Sequence, residues 1–145
     1  MNVILFDVNR ENLFPLSLTR PISDFRVGIS TIKEKWEVFY KSVSVKTEDY
    51  LSKKFPIKTE KDNIWINASV LPNEDIVTEI NSLRKGEILK KDKVVIAVHN
   101  HMFTISKLDE IDSHSTFNKI NDLWNIFSLN GLEIKNDFKK LVNSR

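Results

Sequence analysis

The 145-residue sequence contains no cysteine, and this absence removes several classes of chemistry at once. Without thiols the chain forms no disulfide, offers no cysteine nucleophile and holds no cysteine-ligated zinc. Only three glycines are present, Gly28, Gly86 and Gly131. Glycine-rich phosphate loops need more glycine than this, because their backbone N–H groups must approach the phosphate closely. Any nucleotide bound to this chain is therefore held in another way.

Two further absences concern membranes and nucleic acids. No apolar run approaches the roughly 18 residues of a membrane span, and the amino terminus lacks the features of a signal peptide. We therefore expect a cytoplasmic protein without a membrane partner. The net charge of +2 comes from 22 basic and 20 acidic residues that are interspersed along the chain. This charge is too small to argue for a nucleic-acid partner, and we expect none. The length predicts one domain spanning residues 1–145.

The apolar pattern predicts alternating strands and helices. Continuous apolar runs at 3–6 and 64–66 are typical of strands buried on both faces, and 43–45 predicts another short strand. Thr47–Leu51 predicts a brief helix before Pro56. Apolar spacing predicts a helix over 27–39. Its core face would consist of Ile29, Ile32, Trp36 and Phe39.

The clearest predicted helix begins after Asn73, which has the side chain of an N-cap. Acidic residues follow in the first turn, and Gly86 is suited to the left-handed position beyond the end. The remaining signals are a core face of Ile76, Ile80 and Leu83 and a basic last turn of Arg84 and Lys85. Residues 88–98 predict a hairpin with its tip at 90–93.

The carboxyl-terminal third predicts helices after an irregular polar stretch between about 100 and 115. Helix-like spacing begins at Phe117, and Asn130 with Glu133 resembles a capping box that would start a last helix. The core face of that helix would consist of Ile134, Phe138 and Leu141. The whole pattern predicts an α/β fold with a Rossmann-like mixed, partly parallel sheet flanked by helices, plus a β-hairpin.

The candidate functional residues follow the first strand. Asp7 stands at the strand end, where a carboxylate either coordinates Mg²⁺ or caps the next turn. Arg10, Arg20 and Arg26 come soon after it. The planar guanidinium group matches two phosphate oxygens and stays charged, so Arg20 and Arg26 are candidate phosphate clamps; the alternative is a pair of surface arginines.

Three smaller polar residues complete the candidate list. Asn67 and Ser69 follow the middle strand and are candidates for hydrogen bonds to a base or a sugar. Ser17 lies in the loop after the first strand and is a candidate substrate contact. A serine hydrolase is not indicated, because neither Ser17 nor Ser69 has a recognisable His–Asp pair.

Several stretches together resemble one family: 2–6, 13–21, 24–36, 47–56, 66–73 and 123–138, with Leu18–Ile29 and Phe127–Gly131 the most specific. The family is that of bacterial sugar nucleotidyltransferase-like proteins, related to bifunctional N-acetylglucosamine-1-phosphate uridyltransferases and to glucose-1-phosphate thymidylyltransferases. The resemblance implies a nucleotidyltransferase-type fold. It also implies Mg²⁺ as cofactor, and an NTP and a sugar phosphate as partners.

The chain departs from the superfamily signature that resembles G-x-G-T-R-x-x-P-L-T-x-x-x-P-K. Leu13–Ser17 matches the P-L-T portion and Pro21 the later proline, but the glycine-rich half is replaced by Asp7–Asn12 and the lysine by Ile22. The resemblance as a whole implies a sugar-1-phosphate nucleotidyltransferase that releases pyrophosphate. The alternative is a degenerate, non-catalytic domain that acts in ligand binding or assembly.

The family's carboxyl-terminal left-handed β-helix has no counterpart in these 145 residues. We therefore expect the chain to correspond to the family's first domain only, either as a shortened natural protein or as the first part of a longer one. We also expect oligomerisation only through such a β-helix.

Overall fold

A computed structural model describes residues 2–7, 13–14, 16–18, 20–92, 94–103, 108–120 and 123–143. Strands and helices alternate along the chain. They are β1 (Asn2–Phe6), β2 (Arg26–Val27), β3 (Ser30–Thr31), α1 (Ile32–Glu37), β4 (Ser42–Lys46), β5 (Asn63–Asn67), α2 (Glu74–Asn81), β6 (Glu87–Lys91), β7 (Val94–Asn100), β8 (Asp109–Asp112) and α3 (Leu123–Asn143). Short 3-10 helices lie at Leu16–Leu18, Ile22–Asp24 and Asp49–Leu51.

Six strands form one mixed sheet in the order β4-β1-β5-β7-β6-β8. β1 lies parallel to β4 and to β5, whereas β7 is antiparallel to β5 and to β6, and β8 is parallel to β6. β2 and β3 form a separate antiparallel hairpin. The structure confirms the predicted α/β fold with a mixed, partly parallel sheet and flanking helices, and β6 with β7 forms the hairpin predicted over 88–98.

The central strands are apolar on both faces because both faces are covered. Val3 and Leu5 belong to the larger core, which also contains Trp36 of α1 and Ile76 of α2. The alternate residues of β1 and β5 point to a second, smaller core on the opposite face. That core consists of Ile4, Phe6, Trp65, Ile88 and Val98, with Val95, Phe103 and Leu108 packed against it. The continuous apolar runs therefore predict β1 and β5 correctly.

α2 confirms its predicted beginning but ends earlier than predicted. The Asn73 side chain accepts a hydrogen bond from the Ile76 N–H at 2.9 Å, as an N-cap does. The helix ends at Asn81, so Arg84 and Lys85 lie beyond its last turn and that part of the prediction is wrong. Gly86 has a φ of +90° in the turn that leads to β6, rather than at the helix end.

The helix predicted over 27–39 is shorter than predicted. Residues 26–31 form the β2–β3 hairpin, and Ile29 lies exposed in its turn. α1 begins only after Thr31, whose side chain forms a capping box with Glu34. That local capping signal outweighs the apolar spacing of Ile29.

α3 is one continuous helix, so the capping box predicted at Asn130 is wrong. Asn130 Oδ1 instead accepts a hydrogen bond from the Gly28 N–H of the hairpin at 2.8 Å. The predicted core face is also wrong, because Ile134 and Phe138 are 42% and 61% exposed. The side chain of Leu141, the third predicted core residue, lies outside the described residues.

The face of α3 that packs against the hairpin is charged. Glu133 and Asp137 are buried there, and Asp137 Oδ2 lies 2.7 Å from the ammonium group of Lys35 on α1. A counter-ion and hydrogen bonds satisfy these carboxylates, so burial is tolerated. The spacing of apolar residues takes no account of buried carboxylates, and it therefore predicts the wrong face of α3 as the buried one.

β8 is a strand that the sequence pattern does not predict. Its residues, Asp109–Asp112, are exposed and mostly acidic, as is common on the edge of a sheet where charge discourages further pairing. None of the helices in the described part of the chain combines the length and hydropathy that crossing a membrane requires.

Candidate functional site

The candidate site lies where the parallel strands end. From β1 the chain passes to β4 on one side of β1 and then to β5 on its other side. Ligands of open α/β sheets bind at such a switch point, outside the carboxyl ends of the strands, because the connections there diverge. In this chain that place is the end of β1, next to Asp7.

Asp7 joins three segments at this edge. Its Oδ1 accepts a hydrogen bond from the Ile22 N–H at 3.1 Å, and its Oδ2 accepts one from the Thr47 hydroxyl at 2.6 Å. The Asp7 N–H itself bonds to the Lys46 carbonyl at 3.4 Å, which continues the β1–β4 pairing by one residue. The contact with Ile22 spans 15 residues of the chain and joins the end of β1 to the 3-10 helix Ile22–Asp24.

A cleft of about 310 Å³ opens beside Asp7. It lies at the ends of β1 and β4 and contains both acidic and basic side chains. Its lining consists of Phe6, Asp7, Lys46, Thr47, Glu48, Asp49 and Phe103. A second cleft of about 340 Å³ shares Lys46 and Phe103 with the first and is lined further by Thr59, Trp65, His101 and Met102.

Lys46 lies above an aromatic cluster at the junction of the two clefts. Its Nζ is 4.8 Å from the centroid of the Phe103 ring and 5.8 Å from that of Trp65. The Phe103 ring in turn packs against Phe6 and Trp65, with centroids 4.7 and 5.6 Å apart. The ammonium group of Lys46 therefore makes cation–π contacts with the Phe103 and Trp65 rings, although the neighbouring lining of the first cleft is mostly polar.

The structure does not bring the two candidate arginines into these clefts. Arg20 is exposed and lies two residues before Ile22, whose N–H bonds to Asp7. Arg26 is exposed in β2, and its guanidinium group donates to the Ile29 carbonyl within the hairpin. Neither belongs to the lining of the clefts described above, and Arg10 lies outside the described residues.

Asn67 and Ser69 form a turn in the interior. Asn67 Nδ2 donates to the Val95 carbonyl at 3.0 Å, and its Oδ1 accepts from the Ser69 N–H at 2.9 Å. Both residues are 2% exposed. Their hydrogen bonds shape the end of β5. Ser17 is also buried, in the 3-10 helix Leu16–Leu18.

Ile22, which the sequence resemblance matches to the lysine of the superfamily signature, has a side chain that is fully buried in the larger core. An apolar residue in the core offers no positive charge to a phosphate. The cleft beside Asp7 instead contains Lys46, one residue before Thr47.

Lys46 and Thr47 are residues that motif reasoning misses. Their position in the sequence could have indicated them, because they follow the predicted strand at 43–45 and the carboxyl ends of parallel strands lie at one edge of the sheet. Phe103 has no such signal, because it reaches the cleft from beyond β7. Among the described residues, no group of three or more His, Asp and Glu side chains is arranged to hold a metal ion.

The shifted pKa values belong to groups away from these clefts. Burial raises the pKa of Tyr40 to about 12 and lowers the pKa of Lys119. Burial alone raises the pKa of Glu79, but hydrogen bonds from Ser113, Ser115 and the His114 backbone, with the charge of His114, bring it below its ordinary value. None of these three groups is among the residues that line the two clefts.

Comparison with known proteins identifies the family. A family model described as sugar nucleotidyl transferase matches residues 3–145, which is nearly the whole chain. No curated protein matches the chain significantly. The match agrees with the mixed sheet and with the cleft at the switch point of its parallel strands. The chain belongs to the sugar nucleotidyl transferase family.

Proposed function

We propose that the chain transfers a nucleotidyl group from an NTP to a sugar phosphate, with release of pyrophosphate. The observation that carries this proposal is the Asp7 carboxylate at the switch point, beside a cleft of about 310 Å³ that also contains a lysine. Family membership supplies the reaction class.

In the proposed reaction, a phosphate oxygen of the sugar phosphate attacks the α-phosphorus of the NTP. A new P–O bond forms there, and the bond to the β-phosphate oxygen breaks, so pyrophosphate leaves with that electron pair. The step needs in-line positioning and neutralisation of charge more than it needs a protein nucleophile.

Asp7 is the proposed Mg²⁺ ligand. Asp7 lines the cleft at the carboxyl end of β1, and its oxygens accept hydrogen bonds from the Ile22 N–H and the Thr47 hydroxyl. Mg²⁺ commonly takes only one or two protein carboxylates together with substrate phosphates, so the donor set fits. When bound, the ion supplies charge neutralisation at the phosphates.

The remaining roles are proposals drawn from the sequence. Arg20 and Arg26 would clamp phosphates, with Arg10 assisting, if a bound ligand extends beyond the two clefts, since neither arginine lines them. Arg20 lies nearer in sequence to the Asp7–Ile22 contact, whereas Arg26 would have to give up its contact with the Ile29 carbonyl. Asn67 and Ser69 would act mainly through the shape of their turn, since the Asn67 amide is engaged internally. Ser17, the candidate substrate contact of the sequence, is buried in the 3-10 helix Leu16–Leu18, and we propose that it acts by supporting that segment.

A second candidate function is a non-catalytic domain for ligand binding or assembly. Burial of Ile22 at the position of the signature lysine favours it, because a cation of the usual phosphate site is replaced by a core residue. Binding of an NTP without turnover would support this candidate.

An assay of pyrophosphate release tests the two candidates. Nucleoside triphosphates and sugar 1-phosphates would be combined with Mg²⁺, for the wild type, Asp7→Asn and the exposed control Asp109→Asn. We expect turnover by the wild type and the control, and a loss of roughly 100-fold or more in Asp7→Asn, since several kcal/mol of charge stabilisation are removed. Absence of turnover for every substrate pair would rule out the catalytic function.

A further inference from the structure

Lys46 stands out because two clefts meet at its side chain. The cleft beside Asp7 and the aromatic cleft lined by Trp65 both include it. The side chain is exposed, and the ammonium group rests over the Phe103 and Trp65 rings. These ring contacts position the long lysine side chain at the rim of both clefts.

Lys46 also differs from other lysines in its partners. Lys35, Lys58 and Lys90 each lie within ion-pair distance of a carboxylate. For Lys46, ring contacts are described and no carboxylate pairs with it within the described part of the chain. This holds even though Glu48 and Asp49 line the same cleft. The positive charge is therefore left for a group that enters from solution.

We propose that Lys46 binds a phosphate group of the ligand that enters this cleft. Its ammonium group leaves the two ring faces and donates to phosphate oxygens, while Asp7 keeps the Thr47 hydroxyl as its partner. The proposal rests on the proposed function, because both place phosphates in one cleft. It assigns the role of the signature lysine, whose position is occupied by Ile22, to Lys46 at the end of β4.

The exchange of partners is favourable on physical grounds. The attraction of an exposed ammonium group to ring faces is weak and has no strict direction, whereas hydrogen bonds to a phosphate join opposite charges. Lys46 directly precedes Thr47, whose hydroxyl donates to Asp7. Lys46 and Asp7 also line one cleft, so a phosphate at Lys46 shares that cleft with the proposed Mg²⁺ ligand, as nucleotidyl transfer requires.

Calorimetric titration tests the proposal, with inorganic pyrophosphate, UTP and glucose 1-phosphate as separate probes in the presence of Mg²⁺. Lys46→Met keeps an unbranched apolar side chain over the rings and removes the charge. We expect it to weaken binding of at least one probe by about tenfold or more, the loss of one charged hydrogen-bonding contact. The three probes show whether the phosphate comes from the nucleotide, the sugar phosphate or the product.

Two further variants serve as controls. Lys54→Met is matched, because Lys54 also lies over a ring, 5.6 Å from the centroid of Phe55, and lines neither cleft. It should leave binding unchanged. Lys46→Arg keeps the charge and should bind within a few-fold of the wild type. The affinity of the wild type should also fall more steeply with added salt than that of Lys46→Met, because a charge contact is screened.

Equal binding by Lys46→Met and the wild type would overturn the proposal, and so would a lack of wild-type binding to all three probes. The proposed function fails differently. If the wild type binds pyrophosphate through Lys46 but shows no turnover, the binding role stands and the catalytic function falls. If turnover is normal in Lys46→Met with unchanged KM for both substrates, the function stands and the role of Lys46 falls.

Discussion

At the scale of single residues, the buried charge of Lys35 ties three elements together. Its ammonium group lies 2.7 and 2.8 Å from the two Asp137 oxygens and 3.7 Å from Glu133 Oε1. Asp137 Oδ2 also accepts hydrogen bonds from the N–H groups of Ile29 and Ser30. One carboxylate on α3 therefore holds both α1 and the β2–β3 hairpin.

We expect Asp137→Ala to lower the free energy of unfolding by about 3–5 kcal/mol, because it leaves a buried ammonium group and two backbone donors without their main acceptor. Asp137→Asn should cost less, since its amide oxygen still accepts from the backbone. Urea unfolding measures both changes. As a control, Lys90→Met breaks an exposed pair with Glu110 and should change stability by less than about 1 kcal/mol. Similar losses in the Asp137→Ala and Lys90→Met variants would contradict this account.

At the scale of elements, prediction succeeds where burial follows hydrophobicity. β1, β5 and the start of α2 are predicted because their apolar residues are the buried ones and Asn73 supplies a local cap. α3 is predicted with the wrong start and the wrong face, because the side chains that it buries against the hairpin are carboxylates. Their burial depends on Lys35, about 100 residues earlier in the chain, and no local pattern contains that pairing.

The continuity of α3 gives a prediction with a definite sign. Gly131 lies inside the helix, and a Cβ added there would meet no atom within 4 Å. Gly131→Ala should therefore raise the free energy of unfolding by about 0.5–1 kcal/mol, since alanine is the better helix former. Thermal unfolding followed by circular dichroism measures the change.

Gly28→Ala should change the free energy of unfolding in the opposite direction to Gly131→Ala. Gly28 has a φ of +80°, and its added Cβ would lie 2.7 Å from the Glu133 carbonyl carbon. It should destabilise the protein through both backbone strain and a clash with α3. Destabilisation by Gly131→Ala would instead indicate that the helix breaks at the predicted capping box.

At the scale of the whole molecule, topology assembles the candidate site. Asp7 is predictable from the sequence because it ends an apolar strand, and it does lie at the switch point. Lys46 and Phe103 join it only because β4 lies beside β1 and the segment after β7 folds back over the second core. The order of strands in the sheet therefore determines which side chains lie close to Asp7. Motif spacing within one segment therefore predicts the carboxylate but not its neighbours.

Acid stability is the property through which one carboxylate should affect the whole fold. Glu79 of α2 accepts hydrogen bonds from the hydroxyls of Ser113 and Ser115, both at 2.6 Å, and from the His114 N–H at 3.0 Å. These contacts fasten the segment after β8 to α2. Burial opposes ionisation, but the hydrogen bonds and His114 outweigh it, so the pKa of Glu79 lies below its ordinary value in the folded protein.

The sign of the pH dependence follows from that lowered pKa. The unfolded chain binds a proton to Glu79 at a higher pH than the folded protein does, so the stabilisation is present above the ordinary glutamate pKa of about 4.3 and is lost as pH falls through the lower folded value. Glu79→Gln should therefore destabilise by about 1–2 kcal/mol near pH 7, and the difference from wild type should shrink toward about pH 3. Urea unfolding across this range measures it, with Glu74→Gln, an exposed change at the start of the same helix, as control. A difference that stays constant with pH would show that Glu79 contributes through its shape and not through its charge.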